Sequence, residues 1–213
     1  MKTAILFDLD GTLLDTLQDL TDATNYALAQ FGCPARSREY VRSIVGNGAL
    51  RQMTLALPEG SGIKPEEVLA VYKPYYEANC NRKTQPYEGI SGVLEELRGR
   101  YALGIVTNKP HEAAVELSRI HFPGIYALGQ QDSCPRKPDG AMVRKAMEDL
   151  GADRCVYVGD SEVDVLTAQN AGVPCLTVLW GFRDQEELKK AGATCFCETV
   201  GQLPGCIEIL LEK

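Results

Sequence analysis

No apolar run in the sequence approaches the length of a membrane span, so a transmembrane helix is excluded. There is no Cys-x-x-Cys pair, and His111 and His121 complete no zinc spacing with the cysteines. There is no internal repeat and no low-complexity tract, which argues against a solenoid or a disordered chain. The first residues carry no h-region and no cleavage site, so no secretory signal is expected. Basic residues are the minority, 22 against 29 acidic, and the net charge of −7 argues against a nucleic-acid partner. It does not exclude an anionic substrate, because a bound dication and a few local Lys and Arg can reverse the field in one cleft. Eight cysteines are present, at 33, 80, 134, 155, 175, 195, 197 and 206. Cys155, Cys175 and Cys195 sit in strand-like apolar runs, where free cysteine acts as a small hydrophobe. All eight are expected to be reduced thiols of a cytoplasmic protein, with Cys195 and Cys197 sharing one face of a strand.

What is there begins with Ala4-Ile5-Leu6-Phe7, a continuous apolar run bounded by a glycine turn signal. It reads as a short strand buried on both faces. Asp8 and Asp10 follow at once, and an i, i+2 pair in extended chain projects to one side. Two anions so close need a cation or a shared proton. Gly11 lets the chain turn or lets a ligand approach closely.

From Asp15 the pattern turns helical. Leu17, Leu20, Ala23, Thr24, Ala27, Leu28 and Phe31 recur at helical spacing, and Gly32 reads as the stop. Ser37 caps a second short helix through Val45. Gly46-Asn47-Gly48 is a break, and Ala49 to Leu57 resumes helix with Leu50, Met53, Thr54 and Leu57 expected inward. Lys64-Pro65-Glu66-Glu67 opens a further helix through about Asn81, which Pro74 is expected to kink. Past Pro86 an amphipathic helix, Ile90 to Gly99, leads into alternating strands and helices. The strands are 102–106, 125–128, 155–158, 175–178 and 194–196; the helices are 110–121, 140–151, 162–172, 184–191 and 200–211. This alternation predicts an α/β protein, a doubly wound parallel sheet with helices on both faces. Residues 4–7 must join that sheet. Residues 1–15 and 86–213 then form the core, and 16–85 is an all-α cap domain inserted after the first strand, expected as a lid over Asp8 and Asp10.

In such sheets ligands bind beyond the carboxyl ends of the strands. The strand ending at Val106 delivers Thr107-Asn108-Lys109-Pro110 to that end, a hydroxyl, an amide and a helix start that suit a phosphate. Cys134-Pro135-Arg136-Lys137-Pro138-Asp139-Gly140 holds Lys137 between prolines. The strand ending at Val158 delivers Gly159-Asp160-Ser161-Glu162-Val163-Asp164, with Asp164 one helical turn beyond Asp160 and on the same side. Taken singly, each cluster is equally ordinary cap or loop chemistry. Together they supply hard oxygen donors suited to Mg²⁺.

The string D-x-D-G-T-L-x-D at 8–15 resembles the first motif of the haloacid dehalogenase superfamily of phosphohydrolases, with every position matched. Thr107 resembles its second motif, Lys137-Pro138 its third, and G-D-S-x-x-D at 159–164 its fourth. The chain departs from the third motif at Gly140, where proline is usual, which leaves the helix start there open. The resemblance implies a Rossmann-like core and a Mg²⁺-dependent reaction. It implies Asp8 as nucleophile, Asp10 as general acid and base, and Lys137 as the screening cation, with Thr107, Asn108 and Lys137 on the phosphate. It implies metal binding by Asp8, Asp160 and the Asp10 carbonyl, with Asp164 directly or through water. An acid at position 10 favours phosphate esters over carbon–halogen bonds.

The insertion, with Asp15 and Trp180-Gly181-Phe182-Arg183, is similar to bacterial phosphoglycolate phosphatases, which implies 2-phosphoglycolate as substrate. Gly46, Asn47 and Gly48 could face a ligand and Arg51 could receive its carboxylate; a plain helix–helix turn and a surface arginine fit equally well. The partner expected is a small phosphorylated metabolite, with no nucleic acid and no membrane, the protein being a monomer or homodimer. A phosphosugar mutase such as β-phosphoglucomutase, a pyrophosphatase or nucleotidase, and a receiver-like phosphoacceptor module share parts of this pattern.

Overall fold

The computed structural model describes residues 1–212. The chain divides into two compact units, one made of Met1–Asp15 with the residues from Pro86 onward, the other of Thr16–Gln85.

The first unit is built on strand β1 (Thr3–Phe7), whose last four residues are buried. After the short strands β2 (Leu14–Asp15) and β3 (Gln85–Pro86) come helix α5 (Ile90–Arg98) and strand β4 (Ala102–Pro110). The alternation continues through α6 (His111–His121), β5 (Tyr126–Gln130), α7 (Ala141–Leu150), β6 (Arg154–Gly159), α8 (Glu162–Ala171), β7 (Cys175–Val178), α9 (Gln185–Lys190), β8 (Phe196–Cys197) and α10 (Leu203–Leu211). Six strands form one parallel sheet in the order β5-β4-β1-β6-β7-β8. The chain winds outward from β1 through β4 and β5, then returns to the far side of β1 and winds the other way through β6, β7 and β8. The direction therefore reverses beside β1, and a crevice at the carboxyl ends of β1, β4 and β6 is the expected consequence.

Side chains alternate across the sheet. Ala4, Leu6, Val106, Leu128, Cys155 and Tyr157 face one way and pack with Met142, Val143 and Ala146 of α7 and Ala168 of α8. Ile5, Phe7, Ile105, Val156 and Val158 alternate with them and are fully buried. α5 contributes Ile90, Leu94 and Leu97, and α10 contributes Leu203 and Ile207, to the buried interior. Some edges differ from the sequence reading. β4 runs four residues past Val106, with a register irregularity before Pro110 pairs with Gln130. α6 therefore begins at His111, and Thr107, Asn108 and Lys109 lie in extended chain. Cys195 falls outside β8, so Cys195 and Cys197 do not share a strand face. All eight cysteines are free thiols. Gly140 caps α7; a Cβ there would stand 2.6 Å from the Ala171 main chain, which accounts for glycine at this position. Among the described residues no helix is long and apolar enough to cross a membrane.

The second unit holds helices α1 (Leu17–Gln30), α2 (Arg38–Ile44), α3 (Ala49–Ala56) and α4 (Pro65–Asn79). Ser37 caps α2 by accepting the Tyr40 amide at 3.1 Å. α4 is a single helix through Pro74. Buried Asp19 on α1 accepts the amides of Lys83 and Thr84, each at 2.9 Å, and the Thr84 hydroxyl at 2.9 Å, so one carboxylate ties the start of the unit to its end. Leu28, Ile44 and Ala56 share a cluster, and Tyr26 stacks on Tyr75 with centroids 3.8 Å apart. On α3 the inward face is Gln52, Met53 and Ala56, not Leu50 and Thr54. The helix is rotated relative to the expectation because Gln52 finds a buried partner, donating to the Thr24 hydroxyl at 2.9 Å.

Met53→Ala should lower stability by about 2–5 kcal/mol, whereas Leu50→Ala, at a 37% exposed position, should change it by less than about 0.5 kcal/mol. Urea unfolding of the two variants beside the parent measures the difference.

Candidate active site

β1 ends at Phe7 and presents Asp8, whose amide still bonds the Val158 carbonyl of β6 at 2.8 Å. β6 ends at Gly159 and presents Asp160. One turn into α8, Asp164 closes a capping box with Ser161. Adjacent parallel strands in register thus deliver three carboxylates to one place. One oxygen from each of Asp8, Asp160 and Asp164 lies within 4.8 Å of the others, and all three residues are buried.

Lys137 stands against this cluster from the loop after β5. Its ammonium is 2.7 Å from Asp164 Oδ1, 3.0 Å from Asp8 Oδ1 and 2.9 Å from the Tyr157 hydroxyl. Its side chain is 1% exposed. Burial works against its charge, but Asp164 and Asp8 outweigh it and hold the lysine above its ordinary range. Two devices fix it. The Asn108 side chain grips the Lys137 main chain from both sides, accepting its amide at 2.9 Å and donating to its carbonyl at 3.0 Å. Tyr157 donates to the Val106 carbonyl at 2.8 Å and offers Lys137 a lone pair.

Each carboxylate has its own surroundings. Asp164 is saturated: Oδ1 takes Lys137, and Oδ2 takes the Ser161 hydroxyl at 2.6 Å and the Ser161 amide at 3.0 Å. Asp160 accepts Thr12 Oγ1 at 2.8 Å and the Phe182 amide at 2.7 Å. Asp8 Oδ1 takes the Leu9 amide at 2.7 Å and Lys137; its Oδ2 accepts no hydrogen bond among the described residues. Burial pushes the Asp8 carboxyl up to about 7, against Lys137 and with the repulsion of Asp164 and Asp10. Burial, then Asp164 and Asp8, push Asp160 up to about 8. Three carboxylates against one ammonium leave two formal negative charges uncompensated. An all-oxygen, electron-rich cluster of this kind fits a hard divalent cation.

Glycines press close around it. Gly11 has φ 81°, and a Cβ there or on Gly181 would collide with the Asp160 carboxylate. Trp180 Nε1 donates to the Thr12 carbonyl at 3.0 Å, which holds the turn carrying the Thr12 hydroxyl. Thr107 is buried; its Oγ1 accepts the Lys109 amide at 3.3 Å and keeps its proton to donate. The Asp10 carboxylate is outside the three-carboxylate cluster and is paired with Lys109, at 2.7 and 2.9 Å.

The profile of haloacid dehalogenase-like hydrolases matches residues 5–178, which include every one of these groups except Trp180, Gly181 and Phe182, which follow within four residues. The chain belongs to that family. A phosphoglycolate phosphatase of Xanthomonas campestris pv. campestris is 33% identical over 193 residues, covering 84% of each chain. Phosphoglycolate phosphatase 1 of Pseudomonas aeruginosa is 32% identical over 219 residues, covering 98% of this chain and 80% of its own. A crystal structure from Lactobacillus delbrueckii subsp. bulgaricus, provisionally assigned as a phosphoglycolate phosphatase, superposes with a TM-score of 0.90 at 37% identity, covering 97% and 98% of the two chains. This haloacid dehalogenase-like hydrolase is a phosphatase.

Of the residues singled out from the sequence, Asp8, Lys137, Asp160 and Asp164 converge directly, and Thr107 and Asn108 lie on the neighbouring strand β4. The Asn108 side chain is committed to the Lys137 main chain, so it positions the lysine. Gly46, Asn47, Gly48 and Arg51 belong to the second unit. Gly46 and Gly48 have φ of 110° and 83° in the turn between α2 and α3, and Arg51 is exposed on α3. Sequence reading missed Tyr157, Thr12 and Lys109. Tyr157 reads as one more apolar strand residue, and Thr12 as one position of the first motif with no role of its own. Lys109 was in view, but only tertiary contact shows its partner.

A raised carboxyl binds its proton more tightly in the native state than in the unfolded chain. Metal-free protein should therefore lose the contribution of Asp8 and Asp160 as pH rises from the ordinary carboxylate value of 3.8 to their folded values of about 7 and about 8. A dication displaces those protons, so its stabilising effect should grow over the same interval. Thermal melts with and without Mg²⁺ at about pH 6 and about pH 8.5 test this; a shift independent of pH would contradict it.

Proposed function

We propose that this phosphatase is a Mg²⁺-dependent phosphomonoester hydrolase that works through an aspartyl-phosphate on Asp8. Its substrate is a small phosphorylated metabolite, with 2-phosphoglycolate the first choice. The observation that carries the reading is the Asp8 carboxylate. One oxygen is anchored by Leu9 and Lys137, and the other accepts no hydrogen bond among the described residues. A carboxylate held this way is oriented and has a lone pair to give.

The residue roles follow. Asp8 Oδ2 attacks phosphorus as the ester P–O bond breaks, and the leaving oxygen takes a proton from Asp10. Water then attacks the phosphorus of the acyl phosphate, giving its proton to Asp10, and Asp8 is regenerated as inorganic phosphate departs. Lys137 and Thr107 meet the charge on the phosphoryl oxygens. Asp8 and Asp160, with the Asp10 carbonyl, are the proposed Mg²⁺ ligands. Asp164 has both oxygens engaged and acts mainly by holding Lys137 and the start of α8. When bound, Mg²⁺ supplies charge neutralisation at the phosphoryl oxygens.

The choice of 2-phosphoglycolate rests on relatives bearing that name, and relatives of one fold differ in substrate. We assign selectivity to the second unit, with Gly46, Asn47, Gly48 and Arg51 contacting the substrate. Free thiols at all eight cysteines agree with a cytoplasmic setting.

Asp8→Asn should abolish turnover, by at least about 10³-fold, while the melting temperature stays the same or rises because a buried charge is removed. Phosphate release from a panel of phosphorylated metabolites with Mg²⁺, ranked by kcat/KM, tests the substrate. 2-Phosphoglycolate should lead, and Arg51→Ala should lower its rate more than that of an aryl phosphate. A single equivalent released without turnover would favour a phosphoacceptor module instead.

A further inference from the structure

Lys109 lies just past the irregularity in β4, and the local backbone explains its direction. Between Val106 and Pro110 the register with β5 shifts. Here the chain runs against Gly129 of β5. A Cβ at Gly129 would stand 2.7 Å from the Lys109 carbonyl and 2.6 Å from His111 Cα. Glycine at 129 thus permits the path that turns Lys109 inward. Its side chain is 1% exposed, and its ammonium bonds both Asp10 oxygens, at 2.7 and 2.9 Å. Desolvating an ammonium is costly and needs a close anion to offset it, so this lysine is no ordinary surface charge. The Asp10 side chain is 19% exposed, and Lys109 is its only side-chain partner among the described residues. The direction in which Asp10 points is therefore set by Lys109.

We propose that Lys109 is the positioning residue for Asp10: its ammonium fixes the carboxylate that hands a proton to the leaving oxygen and later takes one from the hydrolytic water. The inference rests on the proton-transfer role given to Asp10 above. When Asp10 passes its proton to the leaving oxygen, a full negative charge remains on its two oxygens, and Lys109 meets both. The same carboxylate then stands oriented as base for the water that attacks the acyl phosphate on Asp8. Lys109 touches neither phosphorus nor the leaving atom in this account. A misdirected acid–base group costs on the order of 10²-fold in rate.

The test uses 4-nitrophenyl phosphate, whose leaving group departs without a proton, under rapid mixing with Mg²⁺. In Lys109→Met the burst of nitrophenolate, which reports phosphorylation of Asp8, should keep its rate within about threefold of the parent, and steady turnover should fall about 10²-fold as the phosphoenzyme accumulates. With 2-phosphoglycolate, which needs the acid, both phases should slow. Asp10→Asn should behave alike, and adding Lys109→Met to it should cost little more. Lys109→Arg keeps the ion pair and should recover turnover to within about tenfold of the parent. If Lys109→Met does not fold, Lys109→Gln is read in the same way. Equal slowing of burst and steady phases in a folded variant would overturn the proposal, as would unaltered turnover. Parent protein inert toward both esters would remove the hydrolase reading itself, and this proposal with it.

Discussion

One buried ammonium among three buried carboxylates is the constraint on which the catalytic unit depends. Lys137 bridges Asp8 and Asp164, and among the described residues no second cation neutralises Asp160. Such a cluster is expensive in isolation, because each charge has left water. The fold bears the cost by supplying directional hydrogen bonds in place of water: the amides of Leu9 and Phe182 and the hydroxyls of Thr12 and Ser161 all donate to these carboxylates. The residual negative charge is what suits the place to a cation. Stability is given up locally, and one Asp8 oxygen is left without a hydrogen bond among the described residues.

Precision at the site is inherited from the sheet. β1 and β6 are hydrogen-bonded neighbours with Phe7 opposite Val158, so Asp8 and Asp160 leave adjacent strands within one residue of the same height. The winding reverses beside β1, the place where sheets of this kind bind ligands at their carboxyl edge. Lys137 comes from a loop, which by itself would be a poor support for a fixed ammonium. Asn108 and Tyr157 correct this by tying that loop to β4 and β6. The side chains that do the chemistry are few, and the groups that aim them outnumber them.

The second unit is held by a different logic. Its four helices enclose a small core, and Asp19 closes the unit with three hydrogen bonds to the segment that leaves it. No dense set of charged groups comparable to the Asp8 cluster occurs there among the described residues. This division agrees with chemistry common to a family residing in one unit and selectivity varying through the other.

Strand and helix alternation beyond Pro86 was legible in sequence because period-2 and period-3.6 patterns and glycine stops are local properties. Three of the four polar clusters were legible because each follows an apolar run at a strand end, and the fourth because two prolines flank Lys137. On α3 local pattern misled, since burial of Gln52 depends on a hydroxyl from a distant helix. The extension of β4 was hidden because strand length there is set by pairing with β5. By itself, then, the sequence determined the sheet, the order of its strands along the chain and the residue types that reach its carboxyl edge, since all follow from patterns a few residues long. Only the tertiary structure decided which charge meets which. The pairing of Asp10 with Lys109 and of Lys137 with Asp8 spans about a hundred residues of chain or more, and contacts at that separation exist only once the sheet has brought their strands together.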